Sequence, residues 1–194
     1  RLSGRLMEIF SQVLGSVNLL LTPYFSKFIT SENNTFNRKF EISLIISSLI
    51  SLSIYFNILA HGEWFLDIWL GSYPEVTLDA LFILAIGFTI ANMQSPVNSV
   101  LLAKDHYKTL SYLSIAEFVL TLGMMFVFIL QLGVIGAAYA LSISLLLIRG
   151  ILQPILVCRV LSISIYRYIL PSLSIALLLL AFFEGIQWGA EVIQ

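Results

Sequence analysis

From residue 41 to residue 188 the chain is a series of apolar runs of membrane-spanning length, broken by short polar connections. That pattern leaves few folds open. Hydrocarbon offers no hydrogen bonds, so each backbone amide inside it must find a partner within the protein, and only helices and closed barrels manage this. A spanning helix needs about 20 mainly apolar residues, whereas a barrel strand is shorter and alternates polar with apolar. These runs are too long and too uniformly apolar for strands. Charged residues make up 11% of the chain, against about 25% in soluble domains, and the mean hydropathy is +0.96. The expected fold is all-α, a polytopic helical bundle in a membrane.

Six spans are predicted, at roughly 5–28, 41–60, 78–102, 110–131, 133–157 and 166–188. Turn formers mark the connections: SENN at 31–34, GSYPE at 71–75 and KDH at 104–106. Lys27, Arg38 and Lys39 fall at the first connection, Lys104 and Lys108 at the third, and Arg149, Arg159 and Arg167 around the fifth. Eight of the ten basic residues thus lie on one side, which the positive-inside rule makes cytoplasmic. Arg1 and Arg5 break the rule. The opening RLSGRLMEIF lacks an initiator Met and a cleavable signal core, so the sequence reads as a piece beginning inside a larger protein. Cys158 is the sole cysteine, so no internal disulfide forms, and it reads as a small buried hydrophobe.

Several spans carry polar stripes. In the first, Arg1, Arg5, Glu8, Gln12, Asn18 and Thr22 share an arc of about 140° at 100° per residue. In the third, IANMQSPVNSVLL puts Asn92, Gln94, Ser95, Pro96, Asn98 and Ser99 within eight positions. An amide with no partner in hydrocarbon costs roughly 2–7 kcal/mol, so this face must meet protein or water. Pro96 lacks the N–H that would bond to the Asn92 carbonyl, and it predicts a kink. A polar, kinked cavity wall is one reading; dry interhelical glue is the other. In the fourth span Ser114, Glu117 and Thr121 share a face, and an intramembrane carboxylate is a functional candidate by default. Glu117 could instead pair with Lys108 or snorkel. Arg149 could snorkel to the headgroups, and Arg5 could be an interface anchor. The ladders Ser43/Ser47/Ser51 and Gly136/Ala140/Ser144 read as close helix packing. His61 and His106 are expected in exposed loops, and Trp64, Trp69 and Tyr73 in an aromatic belt. The sixth span, nearly all Leu, Ile, Ala and Phe, is expected to be peripheral.

No GxxxxGK, HExxH or GxSxG occurs, and the three aspartates, Asp67, Asp79 and Asp105, form no cluster. Catalytic residues, metal ligands and cofactors are therefore not expected, and the protein does not read as an enzyme.

In order along the chain come LLTPYFSKF, FNRKFEISLIISSLIS, FLDIWLGSYPE, LLAKDHYKTLSYLSIAEF and QLGVIGAAYALSIS. This ordered set resembles the C-terminal half of polysaccharide, or O-antigen type, flippases of the multidrug, oligosaccharidyl-lipid and polysaccharide exporter superfamily. The resemblance implies one lobe of a two-lobed, alternating-access transporter in the inner (plasma) membrane. It also implies transport of a polyprenyl-linked oligosaccharide, with the bilayer and an N-terminal lobe as further partners and no nucleic acid. The cavity residues expected are Arg5, Glu8, Gln12, Asn18, Asn92, Gln94, Asn98 and Glu117, with Arg5 on anionic substrate and the amides on sugar hydroxyls. Glu117 departs from the amide or small residue the family leads one to expect. Two alternatives stay open: a cation-coupled multidrug exporter of the same superfamily, and a membrane-embedded glycan-processing enzyme.

Overall fold

A computed structural model describes residues 33–161 and 163–166, 168–170 and 174–175, together with Glu8, Gln12, Pro23 and Phe25. The elements are α1 (Asn33–Leu70), α2 (Glu75–Met93), α3 (Ser95–Ala103), α4 (Tyr107–Leu132), α5 (Val134–Leu145), a π-helical segment (Leu146–Leu152) and α6 (Gln153–Leu161). No strand occurs among the described residues. Four helical stretches are long and apolar enough to cross a membrane: Phe36–Leu70, Glu75–Ala103, Tyr107–Leu132 and Val134–Leu161. They correspond to the second to fifth predicted spans. The first and sixth lie almost wholly outside the described residues.

The boundary that moves most is the end of α1. A connection was expected from residue 61, but the helix continues to Leu70 and turns only across Gly71–Pro74. Its 38 residues make roughly 57 Å at 1.5 Å per residue, well beyond about 30 Å of hydrocarbon. Packing explains the extension: Ile58 and Leu66 are buried against Leu81, Leu84 and Ala85 of α2. His61 therefore lies on a helix, though exposed as expected, and so do the exposed Trp64 and Trp69. His106 is half-buried, and its N–H bonds to the Leu101 carbonyl at 2.8 Å in the α3–α4 turn.

Among the described helices the packing order is α1, α2, α5, α4, with α4 at one edge of that set. Of α4, Leu113 alone is buried among its described residues. The N-terminal end of α1 and the α3–α4 turn lie at the same end of the bundle, where the Lys104 ammonium sits 4.2 Å above the Phe36 ring. Burial there pushes Lys104 below its ordinary range. Arg38, Lys39 and Lys104 thus share one end, as the charge alternation requires.

Close approach fixes the α2–α5 contact. A Cβ on Gly87 would lie 2.7 Å from Ser142 Cα, and Ser142 Oγ donates to the Ile83 carbonyl at 2.6 Å. Gly136, Ala140 and Ser144 are all buried, as a packing ladder requires, and a Cβ on Gly136 would strike the Phe128 carbonyl. In the serine ladder, Ser43 and Ser51 are buried but Ser47 is not, and Ser48 takes its place. Gly87→Val should destabilise the protein by about 1–3 kcal/mol through overpacking. Gly123→Ala, where nothing lies within 4 Å, should be neutral or stabilising by up to about 1 kcal/mol. Thermal unfolding of the two variants in detergent checks both signs.

Candidate functional site

Two prolines interrupt the α-helical ladder of two neighbouring spans. In the first, the helix stops at Met93 and restarts at Ser95, with Gln94 between them at φ −86°, ψ 1°. The break falls two residues before Pro96 rather than at it. A proline is tolerated in the first turn of a helix, where its missing N–H would lack a partner anyway, so the chain ends one helix and begins another. In the second, Pro154 cannot donate to the Gly150 carbonyl. The preceding turn widens instead: the Gln153 N–H reaches Ile148 O, five residues back. Such π turns are rare and frequent at functional sites.

The breaks face each other, and polar side chains fill the gap. Gln153 Nε2 donates to the Gln94 carbonyl at 3.4 Å, and the Tyr168 hydroxyl donates to Gln94 Oε1. Arg149, on the π turn, donates through Nε to Glu117 Oε2 at 2.5 Å. Its Nη1 reaches Gln153 Oε1 at 3.2 Å and, more weakly, Asn98 Oδ1 at 3.5 Å. Nη2 has no hydrogen-bond partner among the described residues. The two charged side chains keep 15% and 21% of their exposure, so they are shielded but not sealed.

Arg149 and Glu117 lie near the midpoints of Val134–Leu161 and Tyr107–Leu132. This corrects two expectations. Glu117 pairs with Arg149, not with Lys108. Arg149 lies near the middle of its helical stretch and is engaged in the bundle, so it leaves the tally of basic residues expected at one end.

Of the expected cavity residues, Gln94, Asn98 and Glu117 come together in this network. Gln94 is buried, Asn98 and Glu117 half-buried. Asn92 is half-buried on α2 beside the break. Glu8 and Gln12 are helical and exposed. Arg5 and Asn18 lie outside the described residues.

Sequence reasoning missed Gln153 and Tyr168 and left Arg149 between headgroups and function. A signal for Gln153 existed. Gln153-Pro154 repeats the polar-before-proline pattern of Gln94-Ser95-Pro96, and Arg149 lies four residues before Gln153, on the same helical face.

Among the described residues, no group of three or more His, Cys, Asp or Glu side chains could hold a metal ion. The arrangement offers donors and acceptors to a polar ligand, but no nucleophile–base pair. Comparisons with protein-family models, with curated proteins and with solved structures found no match.

Breaking the ion pair leaves an uncompensated charge. An exposed pair contributes about 0–1 kcal/mol, and breaking a buried one costs about 3–5 kcal/mol. Arg149→Met alone should cost an amount between these limits. The double variant Glu117→Gln, Arg149→Met should recover part of the loss. A double-mutant cycle on unfolding free energy measures the coupling.

Proposed function

We propose that the chain forms one lobe of an inner-membrane flippase that carries a lipid-linked oligosaccharide by alternating access. One observation carries this reading: a guanidinium and several amides are gathered near mid-span, at two opposed helix breaks. Irregular backbone and charge at that depth are characteristic of residues lining a water-filled path, and broken helices near the midplane recur at transporter binding sites. The ordered sequence resemblance supplies the substrate class.

In this reading six spans, multi-pass in the plasma membrane, complete the lobe. Arg149 joins Arg5 as a partner for anionic substrate groups, through the Nη2 donors left open beside Glu117. Asn92, Asn98 and Gln94 present amides to sugar hydroxyls, and a second lobe closes the cavity. Rocking of one lobe against the other would expose the network to each side in turn.

Glu117 favours a second reading, a cation-coupled exporter of the same superfamily. There the carboxylate would be essential and Arg149 dispensable.

Lipid extracts from cells lacking the protein decide between them. Under the flippase reading a polyprenyl-linked oligosaccharide accumulates on the cytoplasmic leaflet. Wild type clears it; Arg149→Ala and Asn98→Leu reduce clearance by at least tenfold. Absence of accumulation, with hypersensitivity to cationic dyes restored by wild type but not by Glu117→Gln, would replace it with the exporter.

A further inference from the structure

The two helix breaks lie at one level of the bundle, between two separate apolar cores. Toward the basic end, Phe40, Leu44, Val97, Val100, Leu101 and Val157 form a tightly buried cluster. Toward the other end, Ile58, Leu66, Leu81, Leu84, Ala85 and Ala138 form a second. Gln94 and the π turn fall between them. On the α1 side a small third group, Leu52, Phe56 and Ile175, bridges this level, packed by Met93.

α1 runs unbroken through both cores, and at this level it carries the buried Ser48 and Ser51. The Ser51 hydroxyl has no hydrogen-bond partner among the described residues. The polar level is therefore satisfied incompletely, and both neighbouring spans cross it without a continuous α-helical ladder. Packed apolar clusters move as bodies, because close-packed interiors resist deformation. Interrupted ladders are where helices bend.

We propose that Gln94 and the π turn at Leu146–Leu152 form a single hinge line. About it α2 and α5 bend as one body relative to α3 and α6, with the Glu117–Arg149 pair as its latch. The α-helical ladder is interrupted at both breaks, since Pro96 and Pro154 supply no N–H, and Gln153 ties one break to the other at the Gln94 carbonyl, which also accepts from the Val97 N–H at 3.1 Å. Relaxing a π turn by one residue rotates what precedes it by roughly 100°, enough to carry Arg149 off Glu117. Pro154 opposes that relaxation, since an α-register would leave the Gly150 carbonyl facing a residue with no N–H. The hinge thus has two registers separated by a latch. Opening the latch removes the polar tie between α4 and the π turn. This device is independent of what the protein transports.

The test uses spin labels at the exposed positions Val76 and Leu102, on either side of Gln94, in the full chain with Cys158→Ala in lipid nanodiscs. A straight helix would place the two positions roughly 39 Å apart at 1.5 Å per residue. Electron–electron resonance on the unsubstituted hinge should give a broad or two-peaked distribution. Pro96→Ala should narrow it to one peak near the straight-helix value, and Glu117→Gln should shift population toward the shorter separation. A narrow distribution that Pro96→Ala leaves unchanged overturns the hinge. So does a distribution that Glu117→Gln leaves unshifted, whatever transport assays report.

Discussion

A proline inside a membrane span removes an N–H that the surroundings cannot replace. In water a freed carbonyl is solvated; in hydrocarbon it is stranded, at a cost of several kcal/mol. Among the described spans the chain meets that constraint at Pro96 and Pro154, and the architecture of its middle follows. One span restarts its helix; the other widens a turn until the next donor comes within reach. Each solution departs from the regular α-helical ladder, and a glutamine stands beside each break. Because the two spans are neighbours, the Gln153 side chain reaches across to donate to the Gln94 carbonyl.

That polar level makes room for charge. Arg149 points from the widened turn into a ring of acceptors, Glu117, Gln153 and Asn98. A lone guanidinium at mid-bilayer would be costly by any scale. Here its nearest acceptor is a carboxylate on the edge helix, which otherwise buries little more than Leu113. The pair therefore does structural work as well as offering chemistry: it adds a polar tie between α4 and the π turn beside the α4–α5 packing. Elsewhere the bundle relies on shape. Gly87 against Ser142, and Gly136 against the Phe128 carbonyl, bring backbones close enough for a serine hydroxyl to bond across helices. Such contacts suit lipid, where burial of apolar area gives no drive to association.

Much of this was legible in the sequence, and for physical reasons. Span length and apolarity are set by bilayer thickness, so the helices at Glu75–Ala103, Tyr107–Leu132 and Val134–Leu161 lie close to where hydropathy puts them. The polar stripe at Asn92–Ser99 was legible because lipid forbids it without partners. What stayed hidden was pairing. Glu117 and Arg149 are 32 residues apart, and nothing local distinguishes a snorkelling arginine from one folded inward. The extension of α1 to Leu70 was equally hidden, because burial of Leu66 under α2 overrides the polar residues around it. Gln153 is a single amide in an apolar run, yet the proline beside it gives the same warning as the one after Gln94.

Everything proposed about transport rests on the polar level being open to water rather than sealed as dry glue. The most direct measurement places single cysteines at Asn92 and Asn98 in the full protein with Cys158→Ala, in intact membranes. Each is then exposed to a charged, membrane-impermeant thiol reagent. The account predicts modification at both positions, faster than at a cysteine placed at the buried Val100, and slowed by added lipid-linked oligosaccharide. Failure of the reagent to reach either position, while one at exposed Tyr107 reacts fully, would contradict it and leave the network as packing alone.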